Sequence, residues 1–357
     1  MKFAKIMAYF AISTAAFTLT ACSSSVKNLS VYQEPSLESI QSVFPENGLS
    51  IQYLGVGGHL FRFGDQAIMT APSITNPHFL LLGPFVPISA DPEMIDALLP
   101  DVSDVESILV GHAHYDHLMD VPYVMLNKAK NAHVYGSKTM SHSIAPSIDA
   151  SRRHALNDSM AVLEKPGEWH YNETGNIRFM AIKSTHAPHF MGINFMTGTY
   201  DEDLTSLPWH SFAWKEGQTL AYLIDFLAAD GQILHRVYYQ DSASQEPLGL
   251  IPQLATNEQK QVDIAIITPA SFNQVDNYPE GIMESSQAKH FILGHWEDFF
   301  ANQDSEEQRF VRAVSPTDFF ERFDKALPEK SSWAMPTLFH TQYFAPNGKL
   351  LMPETTQ

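Results

Sequence analysis

The segment His112-Ala113-His114-Tyr115-Asp116-His117 constrains this chain more than any other, because it puts four ligand-type side chains into six positions directly after the apolar run Val105 to Val110 and Gly111. The apolar run predicts a buried strand that Gly111 ends, and a helix is expected from His117 to about Lys130, so the histidines lie on a strand-to-helix loop. In an extended loop, residues two apart project to the same side. His112 and His114 can therefore bind one ion while Asp116 and His117 reach a neighbouring position. Imidazole and carboxylate together suit divalent transition metals: zinc first, iron or manganese as alternatives.

One loop cannot fill two coordination spheres, and three further residues stand just past expected strands, where a sheet gathers functional groups at one edge. His186 follows Ile177 to Lys183, Asp241 follows Gln232 to Tyr239, and His295 follows His290 to Leu293. Two other histidines, His59 and His189, are candidates for substrate contact. The long stretch 187–218, with Trp209, His210 and Trp214, reads as a lid or substrate loop, or else as a small satellite core.

Short strands are expected at Ser50 to Leu54, His59 to Phe63, Ala67 to Thr70, Ala132 to Tyr135, Thr219 to Phe226 and Val262 to Thr268. Asp230-Gly231 marks a hairpin turn. Asp91-Pro92 opens one helix, and Ser315-Pro316-Thr317-Asp318 resembles a capping box that opens another through Phe323. Strands interleaved with helices in two similar halves, meeting near residue 175, imply two packed sheets with helices outside.

At the N-terminus, Lys2 and Lys5 precede an apolar stretch from Ile6 to Leu19 that is short for a membrane span, then small residues up to Cys22, the only cysteine. Leu19-Thr20-Ala21-Cys22 resembles the lipobox of bacterial lipoproteins. It implies a signal peptide over 1–22, lipidation of Cys22, a tether over 23–48 and a folded domain over 49–357. Ser23 is not the Asp that resembles an inner-membrane retention signal, which points to the outer membrane, on its periplasmic or surface face. With Cys22 the only cysteine, thiol nucleophiles, disulfides and cysteine ligands are excluded from the domain. The balance of 22 Lys+Arg against 40 Asp+Glu, net −18, sets a repulsive field against polyanions and argues against nucleic acid as a partner. A small-molecule or lipid substrate fits better.

The order HxHxDH, a distant His, an Asp and a final His resembles the metallo-β-lactamase superfamily, over essentially Leu49 to about Phe300. The resemblance implies a four-layered αββα sandwich of two packed mixed β-sheets. It also implies two metals: His112, His114 and His186 on one, Asp116, His117 and His295 on the other, and Asp241 bridging. A finer likeness is to the branch of N-acyl-phosphatidylethanolamine phospholipase D and ascorbate-phosphate lactonase. It rests on Tyr115, Asp116-His117-Leu118, His295-Trp296 and Phe299, with Gly57-Gly58-His59 similar to the early Gly-His turn there. The chain differs from that branch at Ala71-Pro72, Gln240-Asp241-Ser242 and Glu297-Asp298.

Two metals about 3.5–4 Å apart can hold a bridging hydroxide at neutral pH, so no protein nucleophile is needed. The expectation is metal-dependent hydrolysis with Asp116 binding and orienting the water. A phosphodiester is the first substrate class and a lactone, ester or amide the alternative, and Arg62, Arg178, Lys183 and Lys215 are the cations available for a phosphate. The rival from another class is a non-catalytic metal-binding lipoprotein. Such proteins carry dense ligand runs on flexible segments, whereas here single ligands are spread over strand ends.

Overall fold

The computed structural model describes residues 29, 31–189, 191–300, 303 and 308–352. The expected signal segment with Cys22 lies outside them. In chain order the first half holds β1 (Val31–Tyr32), α1 (Leu37–Gln41), β2 (Leu49–Gly55), β3 (Gly58–Phe63), β4 (Gln66–Thr70), α2 (Pro92–Leu98) and β5 (Val105–Leu109). It continues with α3 (Tyr115–Leu118), α4 (Val121–Asn127), β6 (His133–Gly136), α5 (Lys138–Ser143) and β7 (Arg153–Ala155). The second half holds β8 (His170–Tyr171), β9 (Ile177–Lys183), β10 (Leu220–Leu227), β11 (Ile233–Tyr239), β12 (Ile264–Ile267), α6 (Glu280–Ser286) and β13 (His290–Leu293). It ends with α7 (Pro316–Ala326), β14 (Ser332–Pro336), β15 (Thr341–Ala345) and β16 (Lys349–Leu350).

These strands make two sheets, ordered β16-β15-β2-β3-β4-β5-β6-β7 and β1-β14-β13-β12-β11-β10-β9-β8. Strands of this chain are apolar on both faces, and the period of two explains why two sheets and two helix layers form. Along β10, Leu220, Tyr222, Ile224 and Phe226 face the other sheet, while Ala221 and Leu223 face outward. Likewise β3 sends Phe61 and Phe63 inward and Leu60 outward. A strand buried on both faces needs a cover on its outer face. On the first sheet that cover comes from Ile95 of α2 and Val121, Val124 and Met125 of α4; on the second it comes from Ile282 and Met283 of α6 and Phe319 and Phe323 of α7. The result is the expected αββα sandwich, in which each buried large apolar side chain stabilises by about 1.5–3 kcal/mol.

Several expectations need correction. The helix expected from His117 to Lys130 is two helices. Pro122 has no N–H to continue the ladder, and the Asp120 side chain instead takes hydrogen bonds from the backbone N–H groups of Ile74 and Thr75, both at 2.7 Å. The halves divide between β7 and β8, earlier than residue 175, and the β15–β16 hairpin returns to the first sheet beside β2. From Val31 onward the supposed tether lies on the fold: β1 pairs in parallel with β14, and Ser36 caps α1. Arg178, offered as a phosphate contact, is buried against Asp225 and Glu258. Asp225, at 0% exposure, also holds Arg236 by two bonds of 2.7 and 2.8 Å.

His290 shows what burial costs an ionisable core residue. It is fully buried on β13, with Nδ1 2.8 Å from Ser332 Oγ and Nε2 3.1 Å from Gln342 Nε2, and burial pushes its pKa from 6.5 down to about 3. The unfolded chain takes up this proton near pH 6.5 and the folded chain does not, so the stability is full above pH 6.5 and falls as the pH drops toward 3. Urea titrations at pH 7, 6 and 5 should show the unfolding free energy declining, by roughly 0.7 kcal/mol from pH 7 to 6 and approaching about 1.4 kcal/mol per pH unit below pH 6, for each such histidine. The slope should be shallower in His290→Gln.

Candidate metal centre

The carboxyl ends of β5, β9, β11 and β13 all open on one edge of the sandwich, where open α/β sheets gather their ligands. From β5 come His112, His114, Asp116 and His117; from β9, His186; from β11, Asp241; from β13, His295. All seven expected ligands come together there.

Asp241 is the joint. Its Oδ1 lies 3.1 Å from His112 Nδ1 and its Oδ2 lies 3.1 Å from His117 Nδ1, and Tyr239 O–H donates to Oδ2 at 3.2 Å. On one side the His112 ring stands 4.7 Å from His114 and 4.5 Å from His186, centroid to centroid. On the other, Asp116 Oδ2 lies 3.6 Å from His117 Nε2 and 3.7 Å from His295 Nε2. His112, His114 and His186 form one group whose ligand atoms lie within 4.8 Å of one another, and His112, Asp116 and His117 form another.

The donor set fits a metal. The Nε2 atoms of His112, His114 and His117 are buried with no hydrogen-bond partner, an arrangement that costs free energy unless something else takes the lone pairs. Burial first, and then the neighbouring imidazoles, hold His114 and His186 well below 6.5. Burial and His117 push His295 to about 3. These rings are therefore neutral, the form that ligates. Burial alone would raise the Asp241 carboxyl, but His117 and His112 outweigh it and hold the group well below the usual carboxylate range. His186 Nδ1 sits 2.6 Å from the Ala187 carbonyl, which fixes the ring and leaves Nε2 as its ligand atom.

Small residues make room for this packing. A Cβ on Gly111 would lie 2.3 Å from both Asp241 oxygens, and one on Gly57 would lie 2.7 Å from His117 Nδ1. His295 has a left-handed backbone (φ 49°) that turns the chain sharply after β13; its N–H donates to Val56 O at 3.0 Å and Tyr53 Oη at 2.9 Å. Tyr53 O–H in turn donates to Glu297, which also accepts from Val56 N–H at 2.6 Å. Sequence reasoning did not single out Tyr53, Gly111, Tyr239 or Glu297 as supports. Gly111 was legible only as a strand end, and nothing in the residue types flagged the other three.

Two of the expected contacts separate here. His189 stacks on His186 at 4.7 Å and stands 5.3 Å from His114, half-buried beside the ligands. His59 is corrected: at 1% exposure it shares the inner face of β3 with Phe61 and Phe63, packed on Tyr53 and Gly294, where no substrate reaches it. Of the remaining cations, Arg62 pairs with Asp104 at 3.0 Å, and Lys215 donates to Thr199 O at 3.0 Å and lies over the Tyr200 ring. In the stretch 187–218, Trp214 belongs to the core under α2 and α4, whereas Trp209 is exposed.

No protein-family model matches the chain, and no curated protein matches it. Among solved structures it is similar to Igni18, a metallo hydrolase from the archaeon Ignicoccus hospitalis, at 14% identity over 83% of this chain and 98% of that one, with a TM-score of 0.48. It is also similar to the metallo-β-lactamase fold protein YhfI from Bacillus subtilis, at 12% identity over 83% and 99%, TM-score 0.47. A third is an isothiocyanate hydrolase from Delia radicum gut bacteria, at 11% identity over 83% and 99%, TM-score 0.47.

The space around Asp241 yields a direct prediction. Gly111→Ala should displace the carboxylate and weaken metal binding at least tenfold, or about 1.4 kcal/mol, in a chelator competition assay. Gly83→Ala, whose Cβ meets only Val86 at 3.7 Å, should leave binding unchanged.

Proposed function

We propose that this protein is a binuclear metal-dependent hydrolase of the metallo-β-lactamase superfamily. One observation carries the reading: seven ligand-type side chains from four strand ends converge around the Asp241 carboxylate, with buried imidazole nitrogens left open to a ligand. His112, His114 and His186 would hold one ion and Asp116, His117 and His295 the other, with Asp241 between them. Bound divalent ions supply Lewis acidity that polarises a carbonyl or phosphoryl oxygen and lowers the pKa of water.

The chain's own residues do the rest. Asp116, at 6% exposure on the accessible side of the cluster, orients the attacking water and takes its proton on Oδ2. Tyr239, Tyr53 and Glu297 keep the ligands in place. His189, beside His186 and half-buried, faces the space a substrate enters. A binding protein that loads and releases metal does not need ligands held this rigidly on strand ends.

For the substrate, a phosphodiester stands first on the likeness to the phospholipase branch. The second reading, a lactone or other carboxylic ester, is favoured by a specific observation: Arg62, Arg178 and Lys215 are all engaged elsewhere, so none of these three is free to hold a phosphate. Lipidation of Cys22 would anchor the protein in the bacterial outer membrane. Among the described residues no helix is long and apolar enough to cross a membrane.

The test is a parallel screen of metal-loaded protein on bis-nitrophenyl phosphate, a nitrophenyl ester, an acyl-homoserine lactone and a cephalosporin. Turnover is expected on one ester class and should fall by about 10²–10⁴-fold in Asp116→Asn. Turnover of the ester or lactone alone would overturn the phosphodiester reading. Full metal occupancy without turnover of any of the four would favour the binding-protein alternative.

A further inference from the structure

The chain carries a formal charge of −18, yet two long loops beside the metal ligands carry no charged residue over long stretches. No Asp, Glu, Lys or Arg occurs between Asp65 and Asp91, nor between Lys183 and Asp201. The first stretch holds the loop after β4, and the second begins the loop after β9 that contains His186 and His189. The loops touch each other, since Ile88 N–H donates to Trp209 O at 2.9 Å. Phe79 of the first packs on Phe300 at 5.2 Å, and Phe299 packs on His295 at 4.7 Å. Together the two loops rim the mouth of the metal centre.

That rim is apolar and uncovered. Phe85 is 85% exposed, Met191 76%, Leu80 60%, and Ile193 and Trp209 each 52%. More than half of the exposed large hydrophobic residues among the described residues lie on these two loops. Single exposed apolar side chains need no explanation, but a charge-free patch of them, with an indole and phenyl rings, has the character of an interfacial membrane surface. The position of the chain's N-terminal part agrees. Val31 pairs with Met335 while Ile292 pairs with Ala334, so Val31 stands level with the carboxyl end of β13, at the edge that bears the ligands and two strand spacings away, or about 10 Å. From Cys22 to Leu29 a fully extended chain reaches at most about 25 Å. A lipid on Cys22 would therefore tether the chain to the bilayer within reach of this edge.

We infer that the rim formed by residues 71–90, 191–200 and Trp209 is a membrane-docking face that seats the mouth of the metal centre on a zwitterionic phospholipid surface. The charge-free residues of this rim suit such a surface, since the exposed acids that follow them, Asp201 to Asp203, are held against α5 and β7, where Asp203 pairs with Arg153 at 3.1 Å and Leu204 N–H donates to His142 O at 3.1 Å; a chain of −18 would be repelled by an anionic surface. The inference rests on the anchoring read from Cys22 and not on the identity of the substrate.

The test uses the full lipid-modified chain in phosphatidylcholine vesicles whose acyl chains carry bromine. The anchored protein should float with the vesicles and show bromine quenching of its tryptophan emission, and Trp209→Phe should remove the quenched component. The double variant Phe85→Asp/Met191→Asp should still float and keep its metal and its melting temperature, but lose the quenching. Flotation of wild type with Trp209 unquenched would overturn docking while leaving the anchor intact, and an unquenched Trp209 in a protein that sediments as a dimer would assign the rim to a second copy. Failure of wild type to float would overturn anchor and docking together. None of these outcomes touches the hydrolase reading, which the substrate screen decides.

Discussion

The carboxylate of Asp241 is the point on which the site depends. It follows β11 of one sheet and is grasped by His112 and His117, which follow β5 of the other, so a single buried anion ties the two halves of the sandwich together. A carboxylate with no exposed surface is costly unless it is paired and hydrogen-bonded. Here two imidazoles and the Tyr239 hydroxyl surround it, and Gly111 leaves it room. The pairing also sets the ligand geometry: with Nδ1 of both histidines turned to Asp241, Nε2 of both is left open.

The buried cluster raises the energetic stakes of the site. Buried Nε2 atoms of His112 and His114 with no hydrogen-bond partner are a local cost that the surrounding packing must sustain, and functional sites commonly hold such a cost where a scaffold over-determines them. The scaffold here is the apolar alternation of β3, β10, β12 and β13, which is indifferent to the chemistry at the strand ends. The supports closer in are specific: Tyr53 and Glu297 pin the left-handed turn at His295, and Asp120 pins Ile74 and Thr75 at the base of the loop after β4.

How much of this was legible depended on the kind of signal. His112, His114, Asp116 and His117 could be read because ligand types at that density after an apolar strand have few other uses, and His186, Asp241 and His295 because each follows a recognisable strand. Strands β9 and β13 match their expected limits, since their apolar runs are long or sharply bounded. What failed was information that sequence distance hides. His59 resembled a site residue until the inner face of β3 buried it, and Arg178 resembled a free cation until Asp225, far along the chain, claimed it. Strand β1 was missed because two residues carry no periodicity; only pairing with β14 makes them a strand. Tyr53 and Glu297 are ordinary types whose role exists only in contact with each other.

The claim that this cluster is a metal centre is tested most directly by anomalous X-ray scattering from crystals of the purified protein grown with zinc. The account predicts two anomalous peaks at the strand-end edge, one about 2.0–2.1 Å from nitrogens of His112, His114 and His186 and one at a similar distance from His117 and His295, both in reach of Asp241. Diffraction at the zinc edge that shows no peak among these residues, with ordered imidazoles as described, would contradict it.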